Sequence, residues 1–390
     1  MPKPCPQVLL GGVVCLAMFA GVALGRAVVS PGDDTRTATE VRLLDPGWWP
    51  TKGSPARKEY VGSAKCAECH AAQTQAQLAT PMAHALAPAS AGSAEETSRG
   101  PLQFRIGGYS YQLAGSASGI AYSSGDGNHS ISFPIAWIFG SGKFGRTYVY
   151  RDGPKYYESR LSYYAALRTL DFTVGHPRSA PVRLDAALGR RMPADEVSLC
   201  FGCHATAATA DNKFDADALI PGVTCEACHG PGAQHVAVMS EGTMQPATLI
   251  LNPAHLNPAD SVDFCGACHR TSVDAVLTGA QGIQTLRFPA YRLQGSRCWG
   301  KGDARITCIA CHDPHRPLVT DAGAYDRNCL SCHARSAAAT PGRLQPGHAC
   351  PVGQKNCVTC HMPKRDMPEM HGAFTDHRIA IYRPGAAFQD

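Results

Sequence analysis

Seven short segments of this chain place two thiols and an imidazole within five residues, each reading Cys-x-x-Cys-His. They are Cys66/Cys69/His70, Cys200/Cys203/His204, Cys225/Cys228/His229, Cys265/Cys268/His269, Cys308/Cys311/His312, Cys329/Cys332/His333 and Cys357/Cys360/His361. A 390-residue chain with 18 Cys and 16 His would give about 0.03 such matches by chance, so the repeat has a chemical cause. Two thiols three residues apart can each add to one vinyl group of a porphyrin. The adjacent His then offers a ring nitrogen to the iron from the same face. The motifs therefore predict seven covalently bound haem c groups, held by the fourteen motif Cys, with the seven motif His as proximal iron ligands. Structural zinc is the competing reading of paired Cys. It explains neither an odd number of motifs nor a His after every second Cys, and a redox dithiol does not explain the repeated His.

Nine His lie outside the motifs: His84, His129, His176, His235, His255, His315, His348, His371 and His377. Met82 is a further candidate ligand. A second His on an iron saturates it and leaves it an electron carrier, and a Met there raises its potential. His315 lies too close to His312 to reach the far face of the same iron, so it is a candidate for a neighbouring haem. His371 and His377 sit on a short tail after the last motif. Each of these could equally be a surface histidine.

The remaining Cys are Cys5, Cys15, Cys298 and Cys350. The first two fall in an N-terminal segment with one early positive charge, Lys3, and an uncharged run from Val8 to Leu24. Ala23-Leu24-Gly25 follows the small-x-small pattern of a cleavage site. Residues 1–30 read as a signal peptide or an N-terminal membrane anchor, so the mature chain is expected in the periplasm or at the cell surface. In that oxidising compartment a Cys298–Cys350 disulfide is the economical reading, with two buried thiols as the alternative.

The elements that position these motifs are mostly short. Gly (39) and Pro (29) favour loops and turns. Residues 31–59 read as a linker and 60–100 as a first haem segment, with a helical stretch from Ala71 to Leu78 before Pro81. Over 101–160 the pattern changes. Leu102, Phe104 and Ile106 alternate with polar residues, as do Ile131, Phe133, Ile135, Trp137 and Phe139, which predicts antiparallel strands. Leu161 to Phe172 reads as a short helix. Residues 161–390 read as a six-haem domain, with one motif in roughly 27 residues from Cys200 onward, too dense for an ordinary core. The spacings of 25, 40, 43, 21 and 28 residues between successive first Cys exclude a regular solenoid. The fold class read from this is mostly irregular and α, with short helices packed on haems, plus a small antiparallel β-rich insert.

Hydrophobic content of 44% and charged content of 17% fit a folded chain. The formal charge of +5 excludes little once haem is counted. Two propionates on each of seven haems bring the total to about −2 with ferric irons and about −9 with ferrous, so no nucleic-acid partner is inferred.

The residues also resemble a family. Tyr60-Val61-Gly62-Ser63, Gly140-Ser141-Gly142 to Tyr148, CEACHGPGAQHV over 225–236, Asn252-Pro253, Ser296-Arg297-Cys298 before CIACHDPH, and NCVTCHMPK followed by His371 and FTDHRI are similar to the doubled-CXXCH multihaem cytochromes c. These are relatives of the tetrahaem cytochrome that accepts electrons from hydroxylamine oxidoreductase, in a branch often fused to tetratricopeptide repeats. The resemblance implies distal ligands at His235, His315, His371 and His377, one near His348, and Met or His near Met82 and His84. It supports the Cys298–Cys350 pairing and leaves His255 at the surface. Two departures stand out. The chain has no tetratricopeptide repeats, and Lys143-Phe144-Gly145 stands where some relatives carry a His. That iron would draw on His129 or His176, or stay open.

Two functions follow. One is an electron carrier passing electrons between a donor and an acceptor redox protein. The other is an oxidoreductase with one open haem acting on a small nitrogen or sulfur compound. No motif ends in Lys, unlike the active haem of multihaem nitrite reductases.

Overall fold

The computed structural model describes residues 57–90, 95–116, 119–210, 213–242, 249–299, 306–333, 350–383 and 388. The signal or anchor segment, almost all of the linker, and His348 lie outside the described residues.

The largest element is an antiparallel sheet of nine strands: β1 (Leu86–Pro88), β2 (Leu102–Ile106), β3 (Tyr109–Ser116), β4 (Gly119–Gly125), β5 (Ser130–Phe139), β6 (Gly145–Asp152), β7 (Lys155–Tyr164), β8 (Thr169–Phe172) and β9 (Gly189–Arg191). Strands β2 to β8 pair in sequence order. The long strand β5 bends. Its first half pairs with β4 and its second half with β1 and β6. Gly107 and Gly108, at φ 53° and 86°, form the two-residue turn between β2 and β3, where side chains with a Cβ are disfavoured.

The sheet curls until β2 meets β8, where Phe104 and Phe172 touch edge to face at 5.4 Å. This makes a nearly closed barrel. Its interior buries Tyr111, Leu113, Tyr122, Tyr148, Leu161 and Leu170, together with Ala187 and Leu188 of a short helix. The alternation read in 102–157 has its cause here, since one face of each strand turns into this core.

The mostly irregular and α fold class is therefore corrected: the largest element of the molecule is a sheet of nine strands. The sheet also starts before residue 101 and runs past 160. Leu161–Phe172 is not a helix but the end of β7, a turn, and β8. Ala165-Ala166-Leu167 has helical propensity. The cross-strand pairs Leu161↔Phe172 and Tyr163↔Leu170 override it, and Arg168 sits at φ 55° in the turn.

A second core lies on the other side of the sheet. Leu86, Phe139 and Val149 pack against Met192, Val197 and Phe201, the last two from the helix Ala194–His204. Phe201 is fully buried and contacts Trp137, Phe139, Tyr156 and Phe214. Because Phe201 lies inside the second motif, the sheet fixes that motif directly. Phe201→Ala is expected to cost about 3–5 kcal/mol, measurable by thermal or denaturant unfolding. An unchanged midpoint would show that the aromatic cluster does not anchor this helix.

Beyond residue 306 the character changes. Asp376 is the only buried residue among those described from Ile306 to the C-terminus. The backbone there is organised without a side-chain core of its own. Among the described residues no helix is long and apolar enough to cross a membrane.

Candidate haem sites

Every motif occupies one helical turn that stops at, or just before, its His. Helices end on His204, His229, His269, His333 and His361. His70 breaks the helix Ser63–Leu78 with φ −116° and ψ 43°, and the fifth motif opens with the 3-10 turn Cys308–Ala310. One turn puts residues i, i+3 and i+4 on a common face, so both sulfurs and the imidazole project together.

Six of the seven first Cys of the motifs come together in pairs. The thiols of Cys66 and Cys225, of Cys265 and Cys308, and of Cys329 and Cys357 interact side by side. Within the first pair this contact pushes the Cys66 thiol up and the Cys225 thiol down. In a haem-bearing chain these sulfurs are thioethers, so their contact stands for two porphyrin attachment points side by side.

The second Cys of the motifs take no part in these three contacts, although the sequence assigns both cysteines of a motif the same attachment role. Cys69, Cys311 and Cys360 are exposed, and Cys203, Cys228, Cys268 and Cys332 are half-buried. The Cys203 thiol donates to the carbonyl of Ala267 at 3.6 Å, directly beside Cys268 of the fourth motif. The sulfurs of Cys332 and Cys360 lie near local hydroxyls, Ser331 at 3.8 Å and Thr359 at 3.9 Å, each from the preceding residue. Burial pushes the Cys228 thiol up to about 11. Among the described residues, no three His, Cys, Asp or Glu close around one point as a metal cage would. Cys69, Cys332 and Cys360 are thus not part of such a cage. Their assignment to haem rests on the motif, and the physical reason is that a porphyrin is held at its edge, with one sulfur per vinyl group, rather than inside a shell of thiolates.

Imidazoles also meet in pairs. The rings of His229 and His315 lie nearly parallel, 6.0 Å apart between centroids at 15°. Those of His312 and His377 lie 6.2 Å apart at 46°. Metal–nitrogen bonds of about 2 Å on both faces of one ion give ring centroids about 6 Å apart. Both pairs therefore have the spacing of two axial ligands, and each combines a motif His with a His from another segment.

The ring nitrogens are oriented to match. Nδ1 of His204, His229, His361 and His377 donates to the carbonyls of Ala85 (3.0 Å), Leu251 (2.7 Å), Ala380 (2.8 Å) and Thr375 (3.1 Å). This fixes the tautomer with Nε2 available as a ligand. Burial pushes His204, His229, His269 and His312 below the usual histidine range, and His377 down to about 4. Neutral imidazole is the form that binds a metal. The donor set thus fits haem c.

Other predicted ligands stand elsewhere. His235 is half-buried and His70 exposed, and both are within electrostatic reach of His229. Met82 is half-buried, and its carbonyl accepts from Ala85 and Val223. His84 is exposed on this segment, which is pinned by Gly222: a Cβ there would lie 2.0 Å from the Ala83 oxygen. His176 is buried with Nε2 3.0 Å from Glu158. His371 has Nε2 2.8 Å from Asp171 in β8 and its ring against Tyr164, so it ties the C-terminal hairpin Lys364–Met367/Gly372–Thr375 to the sheet. His129 and His255 are exposed. Cys298 and Cys350 are both half-buried, and Cys298 lies near Cys329.

Two carboxylates escaped the sequence reading. Asp376 precedes His377 and is buried against Arg292, and Glu226 lies between the cysteines of the third motif. The signal was there for Glu226, an acidic residue immediately after the first Cys of its motif.

The chain is similar in part to known proteins. The family model described as cytochrome c554 and c-prime matches residues 177–230, which hold the second and third motifs. Multiheme cytochrome MtrA of Shewanella baltica (strain OS185) is 22% identical over 214 residues, covering 51% of this chain and 55% of that protein. The chain thus spans about half the length of this curated relative. The crystal structure of the outer cell wall cytochrome OcwA aligns over 82% of this chain and 79% of its own, with 15% identity and a TM-score of 0.46. The motifs and these matches make the chain similar to multihaem cytochromes c, proteins that bind haem covalently.

Proposed function

We propose that this chain is an exported heptahaem cytochrome c that relays electrons between a donor and an acceptor redox protein. The observation that carries the reading is the double pairing. First cysteines of different motifs touch, and motif imidazoles stand one iron-width from imidazoles of other segments. Haem supplies a one-electron Fe(III)/Fe(II) couple. The chain's part is to hold each porphyrin through two Cys, to fix its imidazoles through backbone carbonyls, and to keep both faces of the iron closed. The second attachment point of each haem is the second motif Cys, Cys69, Cys203, Cys228, Cys268, Cys311, Cys332 or Cys360. In this reading His315 completes the third haem and His377 the fifth. His235, His348, Met82, His84 and His176 are the pool from which the others draw, and His371, bonded to Asp171, stands outside it.

The intact mass of the purified, denatured chain tests the count. It is expected to equal the mature polypeptide plus seven haems, with the N-terminal segment either removed or retained in full. Six additions or fewer, or bound zinc, would sink the heptahaem reading. Alkylation of the unreduced chain is expected to leave Cys298 and Cys350 unmodified, as an exported disulfide would.

One observation favours a second reading. The Phe139 ring lies 5.2 Å from His204, which also has Arg287, Arg270 and His269 within electrostatic reach but no facing imidazole among the described residues, whereas His229 and His312 each face one at about 6 Å. A haem on the second motif with an open face would act as an oxidoreductase on a small nitrogen or sulfur compound. A high-spin signal in the oxidised protein that responds to nitrite or carbon monoxide, with turnover, would decide for this reading. Only low-spin signals, unmoved by either, would decide for the carrier.

A further inference from the structure

Two of the three cysteine pairs share a device that the third lacks. At the first, Glu226 stands directly after Cys225 and is fully buried. Its Oε1 accepts from the backbone N–H of Val61 and of Gly232, and its Oε2 from the N–H of Gly62, all at 2.8 Å. Gly62 is the N-cap of the helix Ser63–Leu78, which carries the first motif. In a capping box, a glutamate three residues into a helix reaches back to its own N-cap N–H. Here the glutamate belongs to another haem turn and performs the same task in trans. Ser63 adds a contact from its hydroxyl to the Cys225 sulfur at 3.6 Å.

The pattern recurs at the last pair. Asp326 opens the helix Asp326–His333, which carries the sixth motif. Its carboxylate accepts from the N–H of Asn356 at 2.7 Å and of Cys357 at 2.8 Å. Asn356 is the N-cap of the seventh motif's turn. These two N–H bonds hold the Asp326 carboxyl below the usual carboxylate range. The middle pair, Cys265 with Cys308, is built differently. There the helix Pro258–His269 is capped by its own neighbour Asn257, and the Cys308 turn by its own Thr307.

We propose that Glu226 and Asp326 are positioning residues that set the spacing between haems one and three and between haems six and seven. The inference rests on the relay reading above. Each carboxylate lies within three residues of the first Cys of one motif and grips backbone within five residues of the first Cys of its partner. The porphyrin edge is bonded to that same Cys. Whatever fixes one turn against the other therefore fixes the two edges. A charged acceptor suits the task, because hydrogen bonds to a carboxylate are shorter and roughly twice as strong as neutral ones. The fall of electron transfer with distance makes this spacing matter to function.

The test compares the full haem-loaded chain with Glu226→Gln and Asp326→Asn variants, each confirmed by mass to hold its haems. The readout is the magnetic interaction between paired ferric irons at low temperature. The wild type is expected to show three interacting pairs. Glu226→Gln is expected to weaken one at least twofold and leave two, Asp326→Asn to weaken a different one, and the double variant to retain the middle pair alone. All three interactions unchanged in both variants would overturn the inference while leaving the relay intact. A wild type without interacting pairs would overturn the pairing itself and this inference with it. If Glu226→Gln does not load haem, Asp326→Asn decides, since Asp326 is partly exposed and its loss is the milder change.

Discussion

Replacing His377 with Ala is expected to turn one low-spin haem into a high-spin or water-ligated one and to leave the others as they were. His377 stands 6.2 Å from His312, its Nδ1 is held by the Thr375 carbonyl, and burial keeps its ring neutral at any pH well above about 4. The segment is fixed on both sides, which keeps a neighbouring side chain from moving in to replace the ring. Ser296 donates to the His377 carbonyl, and the Ile379 N–H donates to Ser296. His315→Ala is expected to do the same at the third haem, where the ring pair with His229 is 6.0 Å wide.

His371→Ala is the informative contrast. Family resemblance places a ligand there, yet the ring nitrogen nearest to Asp171 bonds to that carboxylate, and Tyr164 covers the ring face. Its loss is expected to loosen the C-terminal hairpin from the sheet without a change of spin state. Low-temperature paramagnetic resonance of the three variants separates the cases. A high-spin signal in His371→Ala with none in His377→Ala would reverse the assignment.

The chemistry of this chain was far more legible in its sequence than its architecture. Seven Cys-x-x-Cys-His segments are local: five residues on one turn carry the whole signal, and no tertiary contact is needed to read it. What the motif does not tell is that its two cysteines differ in surroundings, Cys66 against Cys225 but Cys69 exposed, because only the fold decides which end of a turn meets another turn. The β insert was legible for the same reason as the motifs, as alternation along 102–113 and 131–139. The sheet's true extent was not. Strand β1 is three residues long and pairs with Trp137 to Phe139, about fifty residues on, and β9 joins β7 from across a helix. Such short strands have no pattern of their own and are defined only by what they pair with. Leu161–Phe172 failed because Ala and Leu in its turn outweighed the tyrosines beside them. The candidate ligands stand in the sequence as a set, but not as pairs. Which imidazole faces which is fixed by contacts between segments 65 to 86 residues apart, such as His312 with His377 and His229 with His315.

The same reasoning explains why a large expected effect on stability comes from a pair that no motif contains. Arg292 and Asp376 are 1% and 0% exposed and form a two-pronged ion pair, Nε to Oδ1 at 2.9 Å and Nη2 to Oδ2 at 2.8 Å. Asp376 also accepts from the Arg378 N–H and the Tyr382 hydroxyl. Burial pushes its carboxyl up, but the Arg292 bonds and these two further donors outweigh it and hold the group below its ordinary range. It is thus charged, enclosed and fully matched. Removing one partner strands the other in a site that water cannot reach. Arg292→Met is therefore expected to destabilise the chain by about 3–5 kcal/mol, whereas Arg292→Met with Asp376→Leu, which removes both charges, should recover much of that loss. Because Asp376 directly precedes His377, the single variant should also release that imidazole and show a high-spin haem that added imidazole returns to low spin. Unfolding curves and spectra of the single and double variants test both halves. A single variant as stable as the wild type, with every haem low-spin, would show that the pair neither braces the tail nor orients its histidine. If instead stability falls while all spectra stay low-spin, the pair is a brace alone, and His377 is held by its bond to Thr375 and by Ser296.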